Sequence, residues 1–257
     1  MTTAVRTAPT KRAPMDADRK IALVAGALYL LTFIAIGTLT LYTPVLKDPA
    51  YILSSGGDTG LRWGALIEVI VALAGIGTAI TLYPVVRRQN ETFALGFVTS
   101  RVIEGAMILT GVVSLLSLAS LHQVGAAAGA DSTVLVTSGA SFVGTYNAAF
   151  LIGQTLMPAT NAVLLGSLMY RSGLVPRIIP TLGLIGGPLM ISSVIGQIIG
   201  INEQISVWSG IALLPIFVWE LSLGLWLVFK GFRPSAPLMI AAAARSGSPD
   251  ATKAGAA

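Results

Sequence analysis

Phe93-Ala94-Leu95-Gly96-Phe97-Val98-Thr99-Ser100-Arg101-Val102-Ile103-Glu104-Gly105-Ala106-Met107, continuing apolar to Leu121, is long enough to cross a bilayer yet carries an arginine and a glutamate where lipid should lie. Fourteen residues of this stretch are Leu, Ile, Val or Phe, together worth roughly −4 to −8 kcal/mol on the membrane-insertion scale. Two charges near a helix centre cost about 2.5–3.5 kcal/mol each on the same scale. The balance is close to zero. Such a helix is tolerable only where its charges find partners, which points to a polytopic bundle with a buried polar site.

Working outward, the rest of the chain agrees. Of 257 residues, 54% are hydrophobic and 11% charged, with a mean hydropathy of +0.81. A soluble domain carries about 25% charged residues, so this is a membrane protein. The net charge of +5 does not mark a nucleic-acid binder, because the basic residues sit beside the ends of apolar segments, where they set topology. The absence of cysteine removes disulfides and thiolate metal sites. A single histidine, His122, excludes a multi-histidine metal or haem site, and no metal or other cofactor is expected.

Six membrane helices are predicted, over about 21–41, 63–86, 93–121, 141–170, 178–201 and 205–229. The bundle spans 21–233. Residues 1–20 and 234–257 read as disordered cytoplasmic tails. His122 to Ser138 reads as a loop of small residues, and Pro158 predicts a kink in the fourth helix. Asn147, Gln154 and Asn161 recur every seven residues on that helix, a polar stripe on one face. Gly196 and Gly200 form a Gly-x-x-x-Gly pair that permits close packing. No self-similarity between the halves signals an inverted repeat, beyond Glu68 and Glu220 each preceding an apolar run.

Lysine and arginine give an orientation. The two tails, Arg87-Arg88, Arg171 to Arg177 and Lys230 to Arg233 fall on one side, against only Lys47 and Arg62 on the other. Both termini are therefore expected in the cytoplasm.

At ~1.5 Å per residue, Arg101 lies about 12 Å from the cytoplasmic ends, Glu104 about 16 Å, and Glu220 and Asn161 about 13 Å. Arg101 and Glu104 share a helix face, and Glu220 and Asn161 reach them if their helices are neighbours. Glu68 sits nearer the outer interface. One arginine facing two carboxylates leaves a negative excess that suits a glutamate holding a proton. Intramembrane ionisable groups are functional candidates, so small-ligand binding or transport through Arg101, Glu104, Glu220, Asn161 and Glu68 is one reading, with a small molecule or a proton as the ligand and membrane lipids as neighbours. The alternative is a structural or interaction protein whose cluster only locks the packing. An intramembrane enzyme comes third: there is no Gly-x-Ser-x-Gly, no phosphate loop and no lysine inside a helix, and His122 reads as a surface residue in its loop.

Gly64-Ala65-Leu66-Ile67-Glu68, Arg101-Val102-Ile103-Glu104-Gly105, Leu174-Val175-Pro176-Arg177 and Leu227-Val228-Phe229-Lys230-Gly231-Phe232 resemble segments of a bacterial multi-pass membrane family catalogued as domain of unknown function four-three-eight-six. The resemblance covers about residues 18–233. It implies a protein of the bacterial cytoplasmic membrane and supplies no catalytic residues. It coincides with Glu68, Arg101, Glu104 and Glu220, already singled out by depth and cost.

Overall fold

A computed structural model describes residues 16–246; the expected tails over 1–15 and 247–257 lie outside the described residues. The described chain is all-α, and six of its helices are long and apolar enough to cross a membrane. They are α1 Ala17–Lys47, α2 Thr59–Val86, α3 Glu91–Ala128, α4 Ser132–Ser172, α5 Ile178–Ile198 and α6 Val207–Phe229. A seventh, α7, Pro237–Ser246, follows.

Helices α5 and α6 fall two or three residues short of the apolar runs that predict them. The first four extend beyond theirs, because a membrane helix does not end where its hydrophobicity does. The clearest case is the segment from His122 to Ser138, which the sequence reads as a loop. Most of it is helix: α3 continues to Ala128, the turn is Gly129 to Asp131, and α4 starts at Ser132. Gly129 takes the left-handed conformation at φ 62°, and Asp131 caps α4 by accepting from the Thr133 and Val134 amides at 2.7 and 3.3 Å. Those bonds hold the Asp131 carboxyl below its ordinary range. Thirty-eight residues give α3 a length of about 57 Å, far more than the ~30 Å apolar core, so one end projects into water.

Two spans are irregular for identifiable reasons. In α1 the backbone tightens to a 3-10 turn over Phe33–Gly37, flanked by Thr32 and Thr38, whose hydroxyls each donate 2.7 Å to a carbonyl three residues back. In α4 a π segment, Leu151–Leu156, precedes Pro158. Proline offers no amide and its ring crowds the carbonyl four residues earlier, and the wider turn relieves both. Where the sequence predicts a kink at Pro158, the helix carries a π segment just upstream of the proline.

The helices close into a ring. Each packs on its neighbour in sequence, and α6 returns to α1. At that closing seam Gly26 lies so near that a Cβ would stand 2.8 Å from the Gly224 carbonyl and the Val228 amide of α6. The predicted Gly196 and Gly200 pair does no such packing: Gly196 faces the Asn202 side chain, and Gly200, at φ 76°, turns the chain after α5. Close approach on α5 comes instead from Gly183 against Trp219 and Gly186 against Pro215 and Ile216.

Part of the expected C-terminal tail is ordered. Buried Ala236 and Leu238, with half-buried Met239, join the apolar core at the ends of α4 and α5, and this contact holds α7 in place.

Candidate functional site

Arg101 stands on α3 facing the centre of the ring, with its guanidinium beside Gly75 of α2. Its Nη1 donates to both oxygens of Glu104, one turn on, at 2.9 and 3.1 Å. Nη2 donates to Glu220 Oε1 on α6 at 3.2 Å and to the Tyr29 hydroxyl on α1 at 2.8 Å. From α4, Asn161 Nδ2 donates to Glu104 Oε2. The guanidinium thus ties three of the six membrane helices, and Asn161 joins a fourth through Glu104. The guanidinium carbon also lies 5.0 Å from the Tyr29 ring centroid and 5.8 Å from that of Phe97, within cation–π range.

The two carboxylates are unequal. Glu104 is buried, held on both oxygens and braced by an amide. Glu220 makes a single contact with Arg101, and its side chain is 18% exposed against 3% for Arg101. The guanidinium Nε and the Asn161 carbonyl oxygen remain buried without a partner.

The structure brings Arg101, Glu104, Glu220 and Asn161 together as their depths predict. Glu68 belongs elsewhere. It is buried on α2 as the centre of a second cluster, accepting on Oε1 from Tyr146 at 3.2 Å and from Gln154 at 3.1 Å, both on α4. Tyr42 of α1 faces the same carboxyl, and its ring packs edge-on against Tyr146 at 5.4 Å. No cation pairs with Glu68 among the described residues.

The amide stripe of α4 is divided by the π segment. Gln154 serves Glu68, Asn161 serves Glu104, and Asn147, above the bulge, is exposed. A wider turn takes more residues per rotation, so a spacing of seven no longer returns to one face.

Tyr29, Tyr42, Tyr146 and His122 escape the sequence reading. Tyr29 carries no charge and sits in an ordinary apolar run, with no signal to find it. His122 is not on the surface. It is buried on α3, with Nδ1 2.9 Å from Asp58 Oδ1 and Nε2 2.8 Å from the Ser54 carbonyl. Tyr51 donates to the same Asp58 oxygen at 3.0 Å, and burial together with that carboxylate pushes its hydroxyl up to about 12. These contacts pin the segment between α1 and α2 onto α3.

Among the described residues, no group of three or more His, Asp or Glu side chains is placed to hold a metal ion. The family model described as Domain of unknown function (DUF4386) matches residues 24–231. The chain belongs to this family. The matched span runs through all six membrane helices and holds every member of the Arg101 and Glu68 clusters. No curated protein and no solved structure matches the chain.

Proposed function

We propose that the chain is a structural or interaction protein of a bacterial cytoplasmic membrane, with both termini inside, in which the Arg101 cluster locks the ring of helices. The orientation rests on the basic residues gathered at one end of the bundle. The observation that carries the lock is the engagement of both terminal nitrogens of the buried Arg101 head group by protein groups on α1, α3 and α6. The larger cavities described in the bundle are lined by other residues. A buried pair broken on one side leaves an uncompensated charge, at a cost of about 3–5 kcal/mol. The lock therefore requires Arg101→Ala to lower thermal stability sharply in detergent while wild type carries no bound non-lipid mass in native mass spectrometry.

A second reading, binding or transport of a small ligand or a proton, is favoured by one feature. Glu220 is the weakly held, partly exposed member of a cluster with more carboxylates than cations. An acidic ligand or a proton could displace it from Arg101 and leave the Glu104 pair intact. This reading gains if a non-lipid mass travels with wild type and is lost in a folded Glu220→Gln variant.

A further inference from the structure

At the basic end of the bundle, the turn from α4 to α5 and the turn from α6 to α7 are stitched together by the Arg233 amide, which donates to the Leu174 carbonyl at 2.9 Å. Between them lies a cavity of about 300 Å³, lined by Gly173, Pro176, Arg177, Arg233, Ser235 and Pro237 among others. Its wall is built closely: Gly173 takes φ 68°, and a Cβ there would stand 3.3 Å from Pro237 Cδ. Two arginines and a serine line the space, and no acidic residue does.

Of the other cations at this end, Arg19 and Arg88 have partners, whereas Lys20, Arg87, Arg171 and Lys230 pair with no acid among the described residues. Arg19 donates to the Leu227 and Val228 carbonyls at 3.0 and 2.6 Å, and Arg88 pairs with Asp18 at 3.8 Å. Arg177 stacks on Tyr170, its guanidinium carbon 5.4 Å from the ring centroid, which orients the head group without neutralising it. Neither Arg177 nor Arg233 pairs with an acid among the described residues. Ile178, next to Arg177 in the chain, and Phe229, four residues before Arg233, begin and end their helices with apolar side chains 68% and 72% exposed. The site thus stands where the apolar lateral surface meets the polar end of the bundle. There a phosphate and its acyl chains are available together, and basic pockets between helices at this depth suit anionic head groups.

We propose that this cavity binds the phosphate of an anionic phospholipid, Arg177 and Arg233 pairing with its oxygens while the acyl chains lie over Ile178 and Phe229. The probes are phosphatidylglycerol and phosphatidylcholine with identical acyl chains, titrated onto the full chain in detergent and read by native mass spectrometry. Wild type is expected to retain phosphatidylglycerol in preference. Arg177→Gln with Arg233→Gln should reduce that preference by about fivefold per arginine, on the order of 25-fold for the pair. Lys20→Gln with Arg87→Gln removes two cations that likewise pair with no acid, outside the cavity, and should leave most of the preference intact. Equal losses from the two double variants would overturn the site in favour of diffuse attraction. An absent preference in wild type would do so too, as would inorganic phosphate displacing the lipid at equal concentration, which would make this a free-phosphate site. A thermal melt of each variant separates lost binding from lost fold.

Discussion

Tyr29 and Arg101 are joined twice. The tyrosine hydroxyl accepts a hydrogen bond from Nη2 at 2.8 Å, and its ring stands under the guanidinium at 5.0 Å. Hydrogen bonds to charged groups contribute about 1.5–3 kcal/mol, and a desolvated cation–π contact about 2 kcal/mol. Tyr29→Phe keeps the ring and should lose only the first amount, whereas Tyr29→Leu should lose both. Thermal unfolding in detergent ranks the variants, and equal melting of the two would show that the ring contributes nothing.

Replacing the whole ion cluster tests the lock from the opposite direction. Arg101→Met alone strands two carboxylates and should destabilise by about 3–5 kcal/mol. Adding Glu104→Met and Glu220→Met removes the stranded charges, and such replacements are often neutral or stabilising by about 1–4 kcal/mol. The triple variant should therefore melt well above the single one. A triple variant no more stable than Arg101→Met would show that the ionic contacts themselves hold the ring.

Glu68 has hydrogen-bonding partners but no cation. Glu68→Gln preserves an acceptor for Tyr146 and Gln154 and removes any charge, so stability should change by less than about 1 kcal/mol. Glu68→Leu leaves the tyrosine hydroxyl unpaired and should cost about 1–3 kcal/mol. Chemical denaturation of the two variants side by side decides the point, and equal losses would place an essential negative charge at Glu68.

His122 holds the segment between α1 and α2 through Asp58 and Ser54. His122→Phe fills the space but bonds to neither, so amides from Ala50 to Asp58 should exchange faster with deuterium while those of α5 and α6 stay unchanged. Unchanged exchange near Asp58 would mean that Tyr51 suffices to hold the segment.

Gly26 sits against backbone atoms of α6 that no rotamer change can move. Gly26→Leu should force α1 from α6 and cost more than about 3 kcal/mol, at the upper end of overpacking effects. Gly37, with open space around it, should accept alanine with little change. Similar melting of the two variants would argue against the close seam.

The spans, their number and the need of Arg101 for partners are written in the chain itself. Insertion into lipid is nearly a sum over the residues of one segment, and an arginine beside a glutamate in such a segment announces its own cost. Depth along a helix follows from a constant rise, so Arg101, Glu104, Glu220 and Asn161 could be placed in one layer before any packing was seen. What only the tertiary structure decided is which faces meet. The π segment before Pro158 turns Asn147 away and divides Gln154 from Asn161 between two carboxyls. The long α3 carries His122 under the connection from α1 to α2. The return of α6 to α1 brings Tyr29 and Glu220 to the same guanidinium. Rotation and adjacency of helices are set by side chains fitting across the ring, between residues as far apart as Arg101 and Glu220, and no local stretch of sequence contains that information.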